Sequence, residues 1–413
     1  MRNHFGMVGV FAESRRLLLQ KQPRPRKMVS TKTLMLCFYN EGVINMRGIY
    51  IHIPFCVRKC NYCDFASYPS KRELEDRYIG SLVEDISLRK GTNADTVYIG
   101  GGTPSVLSCD NMERLLNCIR ENFDLSPYTE FTVEVNPGTV TLEKARLLKK
   151  YGVNRISMGA QSFVNSELKL LGRIHTAEDT EYTYNLLRNE GFGNISLDLM
   201  YGYPTQTRDT LEYSLNRLIG LNPEHISCYG LTIEEGTPFF TMREHGDITD
   251  CNEDTFADMY EYIRTRLASE GFRHYEISNF SKEGRESRHN LKYWQGDDYL
   301  GFGVAAASKE GSRRYTYTSD IEEYLSNRIL TEDYTMSLEE QMSEFVILGL
   351  RVINSGVDKQ KFRELFKVDF DSVFSDAKNS VSSYVIDDKN ALKLRNEAAL
   401  VSNSIMCRFV LDK

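Results

Sequence analysis

Long apolar runs are missing from this sequence. No stretch reaches the roughly 18 consecutive apolar residues that a transmembrane helix needs, so we predict none. There is no internal repeat and no low-complexity tract. The nine cysteines are odd in number and not evenly spaced, which favours a reducing compartment, here the cytoplasm, over a disulfide-stabilised fold.

An excess of positive charge is also missing. The formal net charge is −7, which argues against nucleic acid as the main partner. The hydrophobic content of 41% and the charged content of 26% are ordinary for a globular protein. A chain of 413 residues is long enough for one large α/β domain and a smaller one.

Residues 1–45 differ from the rest of the chain. They hold eight Lys/Arg and two acidic residues, a net charge of +6, so the remainder carries −13. This basic extension could be an organellar transit peptide, which would be Arg-rich and poor in acids. Alternatively, translation begins at Met46, because Glu41-Gly42-Val43 can be encoded by a purine-rich stretch resembling a bacterial ribosome-binding site. We favour the second interpretation and leave residues 1–45 out of the fold prediction.

From residue 49 onward, short β-branched runs alternate with amphipathic helical stretches. This order predicts right-handed parallel βαβ units. Six such units are too few for a closed eight-fold barrel, so we expect an α/β fold with an open, partial (β/α)6 barrel. The predicted strands are Ile49–Ile53, Thr96–Ile99, Glu130–Val135, Asn154–Met158, Ile195–Met200 and His225–Leu231. The predicted helices are 72–90, 109–123, 141–150, 176–190, 208–219 and about 253–270.

The pattern changes after about residue 282. We therefore predict a barrel over 46–281, a connecting segment over 282–319 and a smaller α+β C-terminal domain over 320–413. In a barrel of this kind, functional groups lie at the carboxyl ends of the strands. Each motif described below follows one of the predicted strands.

The most informative motif is the spacing C-x3-C-x2-C formed by Cys56, Cys60 and Cys63, directly after the first strand. Thiolates are the ligands that iron–sulfur clusters require. Three of them can hold three corners of a 4Fe–4S cube and leave the fourth iron open. S-adenosylmethionine (SAM) can occupy that position through its amino and carboxylate groups. The reduced cluster can then cleave a carbon–sulfur bond of SAM to give a 5′-deoxyadenosyl radical. The alternative is a structural zinc site with His52 as a fourth ligand, but zinc sites normally pair their cysteines as C-x2-C.

Four segments around this motif carry a resemblance to a known family. They are YIHIPFC, GGGTPS, RISMGAQSF and DLMYGYPTQT. Together with the cysteine loop they resemble the radical SAM superfamily, and within it the branch related to coproporphyrinogen oxidase. That branch contains oxygen-independent coproporphyrinogen III oxidase and the HemW-type heme chaperones. The resemblance extends from Met46 to about residue 355 and implies a radical-SAM partial barrel.

Several polar or glycine residues at strand ends are candidates for holding SAM. Glycines allow close backbone approach, Glu134 can accept from a ribose hydroxyl or an ammonium group, and Arg173 can bind a carboxylate with two nitrogens. Asp198 lies in an apolar run, where a charge is costly without a partner. Read alone, each residue fits a structural hydrogen bond as well. The resemblance implies SAM contacts for Gly101, Gly102, Thr103, Glu134, Gln161, Arg173 and Asp198. It also implies that Tyr50 packs beside the cluster, and it points more weakly to Thr232.

Two features separate the relatives within the branch. The oxidase pattern has a fourth cysteine two residues after the third, where this sequence has Phe65. That difference puts decarboxylase activity, and hence an enzyme function, in doubt. The segment HNLKYW, residues 289–294, resembles the HNxxYW segment of the heme chaperones.

Histidine can ligate heme iron, and Tyr293 and Trp294 can flank a porphyrin. Alternatively, His289 is a surface histidine beside two core aromatics. There is no Cys-Pro pair and no C-x-x-C-H motif, so covalent heme attachment has no support.

The leading hypothesis is a heme chaperone that binds heme at a site including His289. It would pass heme to an acceptor protein, such as a membrane respiratory enzyme, with the cluster and SAM gating transfer or homodimer formation. The second hypothesis is an oxygen-independent coproporphyrinogen III oxidase. The third is a radical enzyme acting on another substrate.

Overall fold

A computed structural model describes residues 46–411 of the chain. The predictions made for residues 1–45 lie outside this range. Within it, no helix is long and apolar enough to cross a lipid bilayer.

Six parallel strands form the centre of the molecule. They are β1 (Arg47–Ile53), β2 (Thr92–Gly101), β3 (Phe123–Val135), β4 (Arg155–Gln161), β5 (Ile195–Tyr201) and β6 (His225–Gly230). Each pairs with the next in sequence order. All six predicted strands are confirmed, and the structure extends most of them by a few residues.

Helices connect these strands and cover the outer face of the sheet. They are α1 (Glu75–Ser87), α2 (Cys109–Asn122), α3 (Leu142–Lys150), α4 (Asn165–Leu170), α5 (Ala177–Asn189), α6 (Arg208–Gly220), α7 (Pro238–Glu244) and α8 (Glu253–Ser269). Hydroxyl side chains start many of them. Ser108, Thr141, Thr176 and Thr207 each accept a hydrogen bond from a backbone N–H in the first turn, which fixes where these helices begin.

The sheet stays open and does not form a closed barrel, which confirms the prediction of an open, partial barrel. Beyond β6, the antiparallel strands β8 (Asn279–Ser281) and β7 (Arg273–Glu276) form one edge. On the other side, β9 (Tyr299–Phe302) runs parallel to β1. It is followed by β10 (Ala307–Glu310), β11 (Arg313–Tyr317) and β12 (Leu330–Thr335). The helix α9 (Arg288–Trp294) connects β8 to β9 and so links the two sides of the opening.

The C-terminal region follows α10 (Ile321–Asn327) and β12. It contains α11 (Leu338–Gly349), β13 (Val357–Asp358), α12 (Lys359–Phe366), α13 (Phe370–Ser380), β14 (Val385–Asp387), β15 (Ala391–Leu394) and α14 (Ser402–Met406). Its three strands form a separate sheet in the order β13-β15-β14. β11 and β12 pair with each other and extend the large sheet to residue 335, beyond residue 320, where the predicted C-terminal domain begins.

Polar and aromatic side chains from the six strands face the interior of the open barrel. Side chains alternate between the two faces of a strand, so every second residue of β1–β6 points inward. Tyr50, Tyr98, Glu134, Ser157, Asp198 and Tyr229 line one cavity from these six strands. The apolar core lies instead between the outer face of the sheet and the helices, for example Ile49, Leu82 and Leu116. The side chains inside the barrel are therefore available for contacts with a ligand.

Candidate functional site

The loop after β1 carries the three cysteines and is held by neighbouring segments. The N–H of Asn61 donates to the carbonyl of Leu171 at 3.0 Å, and its own carbonyl accepts from the N–H of Phe239 at 2.8 Å. The N–H of Cys63 donates to the carbonyl of Cys60 at 3.2 Å, which closes a turn between the last two cysteines. The loop position thus depends on residues after α4 and at the start of α7.

The thiols of Cys56, Cys60 and Cys63 line one cavity of about 260 Å³ at the carboxyl ends of the strands. Burial raises the pKa of Cys63 to about 12 and also raises the pKa of Cys56. Binding to a cation such as iron deprotonates a thiol regardless of such a shift. Within residues 46–411, no three His, Cys, Asp or Glu side chains lie close enough together to hold one metal ion. A 4Fe–4S cube does not need such a group, because each thiolate binds a different iron.

Glycines bring the end of β2 against this loop. A Cβ atom on Gly102 would lie 2.8 Å from the carbonyl oxygen of Phe55 and 3.1 Å from the sulfur of Cys56. Gly101 has φ +107°, and a Cβ there would lie 2.6 Å from the ring of His52. The hydroxyl oxygen of Thr103 lies 3.5 Å from the Cys56 sulfur. This close approach accounts for the Gly-Gly-Thr sequence at the strand end.

His52 and Tyr50 support the loop from inside the barrel. Burial lowers the pKa of His52 to about 4, so its ring is neutral. Its Nδ1 lies 3.0 Å from the Tyr50 hydroxyl, and its Nε2 lies 2.8 Å from the carbonyl oxygen of Ala66. Because a carbonyl only accepts, Nε2 carries the proton and Nδ1 accepts from Tyr50. The chain Tyr50–His52–Ala66 links β1 to the segment just after Cys63.

Two carboxyl groups face the cavity from adjacent parts of the sheet. Glu134 accepts from the Tyr98 hydroxyl at 2.6 Å and from the Gly101 N–H at 3.0 Å. Burial raises its pKa to about 7, and burial raises the pKa of Asp198 to about 6. The Ser157 hydroxyl lies between them and donates to Asp198 at 3.5 Å. Both groups are therefore ionised at mildly alkaline pH and can accept hydrogen bonds from a ligand.

Gln161 and Arg173 lie at the same end of the barrel. Gln161 has φ +66°, and its buried Oε1 has no hydrogen-bond partner. An unpaired buried acceptor indicates a missing donor, which a ligand can supply. The Arg173 guanidinium donates to Asn136 Oδ1 at 2.6 Å and to the Gly159 carbonyl at 2.7 Å, and one nitrogen lies 3.5 Å from the Cys60 sulfur. This places a cation beside the thiol of Cys60, where it can bind a carboxylate group of a ligand.

The structure thus places all the predicted SAM residues around one cavity with the three cysteines. Thr232 also lines this cavity, as does Phe65, which occupies the position of the fourth cysteine in the oxidase pattern. The glycine approach, the two carboxyl groups, the unpaired amide oxygen and the guanidinium fit a SAM-sized polar ligand.

His289 lies apart from this group. It is fully buried and stacks on Tyr98 with 5.2 Å between ring centroids. Its Nδ1 lies 2.8 Å from the Thr96 hydroxyl, and its Nε2 lies 2.8 Å from the Tyr293 hydroxyl. Both ring nitrogens are therefore engaged, and burial lowers the pKa of the ring to about 3. The structure does not bring His289 into the cavity, nor does it place this residue at the surface.

Other residues of the same motif do reach the cavity. Asn290 and Trp294 line it, and the buried Oδ1 of Asn290 and Nε1 of Trp294 have no hydrogen-bond partner. Asn290 was not predicted as a site residue, although it lies inside the motif. Asn279 and Arg351 were not predicted either, and they line the cavity from β8 and from just after α11. Only the turn of α9 and the antiparallel pairing of β8 show which of these side chains point inward.

Comparisons with known proteins identify the family to which the chain belongs. Residues 50–218 match the Radical SAM superfamily, and residues 336–394 match the HemN C-terminal domain. The chain is 37% identical over 369 residues to the heme chaperone HemW of Lactococcus lactis, which covers 88% of this chain and 97% of that protein. It is 35% identical over 382 residues to the heme chaperone HemW of Bacillus subtilis, with 88% and 99% covered.

One solved structure matches nearly the whole chain. The coproporphyrinogen III oxidase HemN of Escherichia coli, a radical SAM enzyme, aligns with a TM-score of 0.78 at 23% identity, over 90% of this chain and 91% of that chain. At this identity the likeness concerns the fold. The sequence relatives are closer and cover most of the chain, and by that measure the chain belongs to the HemW family within the radical SAM superfamily.

Proposed function

We propose that this protein is a heme chaperone, which binds heme together with a SAM-ligated 4Fe–4S cluster and transfers the heme to an acceptor protein. The support is its 35–37% identity to two proteins named heme chaperone HemW over 88% of the chain. Membership of the radical SAM superfamily implies the cluster and SAM. The proposal that the protein binds and transfers heme is supported by the names of these relatives and by the motif at residues 289–294.

In this proposal, Cys56, Cys60 and Cys63 hold the cluster. When bound, the cluster supplies one electron for cleavage of SAM. Gly101, Gly102 and Thr103 shape the space beside the cluster, and Tyr50 supports the loop through His52. Glu134 and Asp198 accept hydrogen bonds from SAM, and Arg173 binds its carboxylate. The unpaired Oε1 of Gln161 accepts from a SAM donor.

Phe65 is the observation that favours the chaperone over the oxidase. The oxidase pattern carries a cysteine at this position, and Phe65 contributes neither a thiol nor any other titratable group to the cavity it lines. Coproporphyrinogen III oxidation by this chain would therefore have to proceed without that thiol. The structural likeness to HemN does not alter this, since it concerns the fold alone.

His289, the proposed heme ligand, can bind iron only if one of its present hydrogen bonds is broken. Both ring nitrogens are bonded within the protein, to Thr96 and Tyr293. Ligation of heme iron requires one nitrogen to be free. Heme binding through His289 thus requires α9 to move or the ring to turn, so that its bond to Thr96 or its bond to Tyr293 is broken.

We further propose a cytoplasmic protein that meets its acceptor, such as a membrane respiratory enzyme, at the membrane surface and forms a homodimer during its cycle. The composition of the sequence and the many cysteines without disulfides support the location. Co-purification with a heme-free acceptor and the loss of heme from the chaperone on mixing would test the transfer step.

The main experiment is anaerobic cluster reconstitution followed by optical heme titration. We expect one heme per chain for the wild type and weakened binding, with a changed Soret band, for His289→Ala. His225→Ala is the matched control, because His225 is equally buried and bonded to Ser196 and Tyr275. Loss of heme binding in both variants would indicate a general disturbance of the barrel interior.

The outcomes separate the parts of the proposal. Failure of the wild type to bind heme stoichiometrically would overturn the chaperone function. Normal heme binding by His289→Ala would overturn the ligand assignment alone. Formation of protoporphyrinogen from coproporphyrinogen III, with SAM and a reductant, would favour the oxidase instead.

A further inference from the structure

A buried arginine lies in the barrel interior without a salt bridge to any of the described residues. Arg155, the first residue of β4, has only 2% of its surface exposed. Within residues 46–411 no carboxylate oxygen lies within 4.0 Å of its guanidinium, and its Nε makes no hydrogen bond. An arginine is almost never fully buried unless it is paired. Its charge must therefore interact with groups at somewhat longer range.

Strand register places two carboxyl groups near Arg155. Arg155 is two residues before Ser157 on β4, so both side chains lie on the same face of the sheet, one barrel layer apart. Ser157 pairs with Glu134 on β3 and donates to Asp198 on β5. Arg155 consequently lies in the layer beneath the two carboxyl groups and between their strands. Arg173 is the cation on the opposite side, near Cys60.

Burial works against the ionised form of both carboxyl groups. It raises the pKa of Glu134 to about 7 and that of Asp198 to about 6. Hydrogen bonds oppose the shift, from Tyr98 and Gly101 at Glu134 and from Ser227 at Asp198, and the Arg155 charge opposes it at both sites. The two carboxyl groups also repel each other, which raises the pKa of Glu134 further. Removal of a nearby cation would therefore raise the pKa of both groups further.

We propose that Arg155 is a positioning residue for SAM, because its charge favours the ionised forms of Glu134 and Asp198, which accept hydrogen bonds from the ligand. This inference rests on the proposed SAM site. It assigns to Arg155 no contact with SAM, since Arg155 does not line the cavity. Its effect must therefore appear as a change in how SAM binding depends on pH.

Other groups near the carboxyl groups enter the same balance. Those around Glu134 are Tyr50, Tyr98, Arg155, Asp198, Tyr229 and Tyr293. Those around Asp198 are Tyr98, Arg155, Arg173, Cys228 and Tyr229. Burial raises the pKa of each tyrosine and of Cys228, so these groups are neutral at neutral pH. The arginines are the cations of this set.

The sign of the pH effect follows directly. SAM binds the ionised carboxylates, so its affinity falls as the pH drops through their pKa values. Removal of the Arg155 charge raises those pKa values, so affinity is lost at a higher pH. We expect the midpoint of this loss to rise by about one pH unit in Arg155→Met, and a shift of that size corresponds to about tenfold weaker SAM binding below the midpoint.

The experiment measures SAM affinity of the cluster-loaded full chain by anaerobic equilibrium dialysis between pH 5.5 and 9. Arg155→Met removes the charge and keeps an unbranched stem, whereas Arg155→Lys keeps the charge and should keep the wild-type midpoint. Arg314→Met is the control, because Arg314 is equally buried but pairs with Glu344 outside the cavity. If Arg155→Met does not fold, Arg155→Gln takes its place. Infrared titration of the carboxyl bands in the cluster-free protein gives a second measure of the same midpoint.

An upward shift in Arg155→Met, absent from Arg155→Lys and Arg314→Met, would support the proposal. An unshifted midpoint would overturn it, and so would an equal loss of affinity at every pH, since that indicates a purely structural role. Glu134→Gln tests the SAM site separately. Retained SAM affinity in Glu134→Gln would overturn both the SAM assignment and the role of Arg155. Lost affinity there, with an unshifted Arg155→Met profile, would overturn only the role of Arg155.

Discussion

Gly102 holds the end of β2 against the cysteine loop because it has no side chain. Its N–H donates to the Ile53 carbonyl at 2.8 Å, and Thr103 N–H donates to the Phe55 carbonyl at 2.8 Å. These bonds bring the backbone so close that a Cβ on Gly102 would lie 2.9 Å from the Ile53 oxygen and 2.8 Å from the Phe55 oxygen. Backbone oxygens cannot rotate away as a flexible side chain can. The position of Cys56 and the packing at Gly102 are therefore linked.

We predict that Gly102→Ala separates the end of β2 from the loop. We expect the cluster-free protein to lose about 1–3 kcal/mol of unfolding free energy, as for other overpacked sites, and cluster loading to fall. Urea unfolding and iron content after reconstitution measure the two effects. Gly193→Ala is the control, because a Cβ there meets nothing within 4 Å. Full iron content in Gly102→Ala would show that the loop tolerates the shift.

The site residues that a sequence reveals are those whose chemistry is specific by type and spacing. The three cysteines, the glycine run and Phe65 belong to this group. Arg155 and Asn290 do not, because an arginine in a strand or an asparagine in a helix is most often exposed. Only the register of β4 with β3 and the turn of α9 show that both point into the barrel. His289 shows the converse, since its motif is specific but its ring faces Thr96 and Tyr293.

At the scale of elements, α9 spans the opening between the two edges of the large sheet. Its first turn is anchored by a carboxylate from β3. Glu130 accepts from the N–H of Arg288 at 3.1 Å and from the N–H of His289 at 2.9 Å. The Ser287 hydroxyl accepts from a third N–H, that of Asn290. A carboxylate at a helix N-terminus also interacts favourably with the helix dipole. One side chain thus fixes the helix that carries residues 289–294.

We predict that Glu130→Ala loosens α9. Two buried N–H groups would lose their acceptor, which costs about 1–3 kcal/mol of unfolding free energy. Amide hydrogen exchange should quicken over residues 288–294 and stay unchanged in α2. Glu143→Ala is the control, because Glu143 is an exposed acid in the first turn of α3. Unchanged exchange in α9 would mean that its packing against the barrel, rather than Glu130, holds it in place.

The long elements could be predicted from sequence because their signals are local. The predicted helices at 109–123, 141–150 and 176–190 agree with α2, α3 and α5 to within a residue, since Ser108, Thr141 and Thr176 mark their starts. The four-residue strands β9 and β10 and the seven-residue helix α9 were not predicted. Their identity depends on pairing with β1 and on filling the barrel opening, which are long-range interactions.

At the scale of the whole molecule, the C-terminal region packs against the open barrel and shares its core. The core formed by residues such as Ile51 and Leu197 is continuous with Val346 of α11 and Phe362 of α12. The N–H of Ile353 donates to the Tyr275 carbonyl at 3.0 Å. Arg351 lies 3.6 Å from Glu276, which is fully buried, and 4.4 Å from the Trp294 ring centroid. The end of α11 therefore supplies both apolar packing and a counter-charge to the barrel.

We predict that the described chain unfolds as one cooperative unit and that truncation after Thr335 prevents folding. Truncation would expose the shared core and leave the Glu276 carboxylate buried without Arg351, a loss that costs about 3–5 kcal/mol for a broken buried pair. Trp294, the only tryptophan, reports on this contact. Its fluorescence and the far-UV circular dichroism of the full chain should change at the same urea concentration. A truncated chain with native circular dichroism would contradict this prediction.

The position of β1 in the large sheet has a consequence for biosynthesis. β1 is made early, yet it lies between β2 and β9, and β9 ends only at Phe302. While the ribosome is still translating the helices of the barrel, one edge of β1 has no partner strand. The cysteine loop that follows it remains at an unfinished edge until most of the chain has emerged. Iron delivered during translation would reach the three thiols before Asn290 and Trp294 of α9 line the same cavity, so cluster loading can begin before the chain is complete.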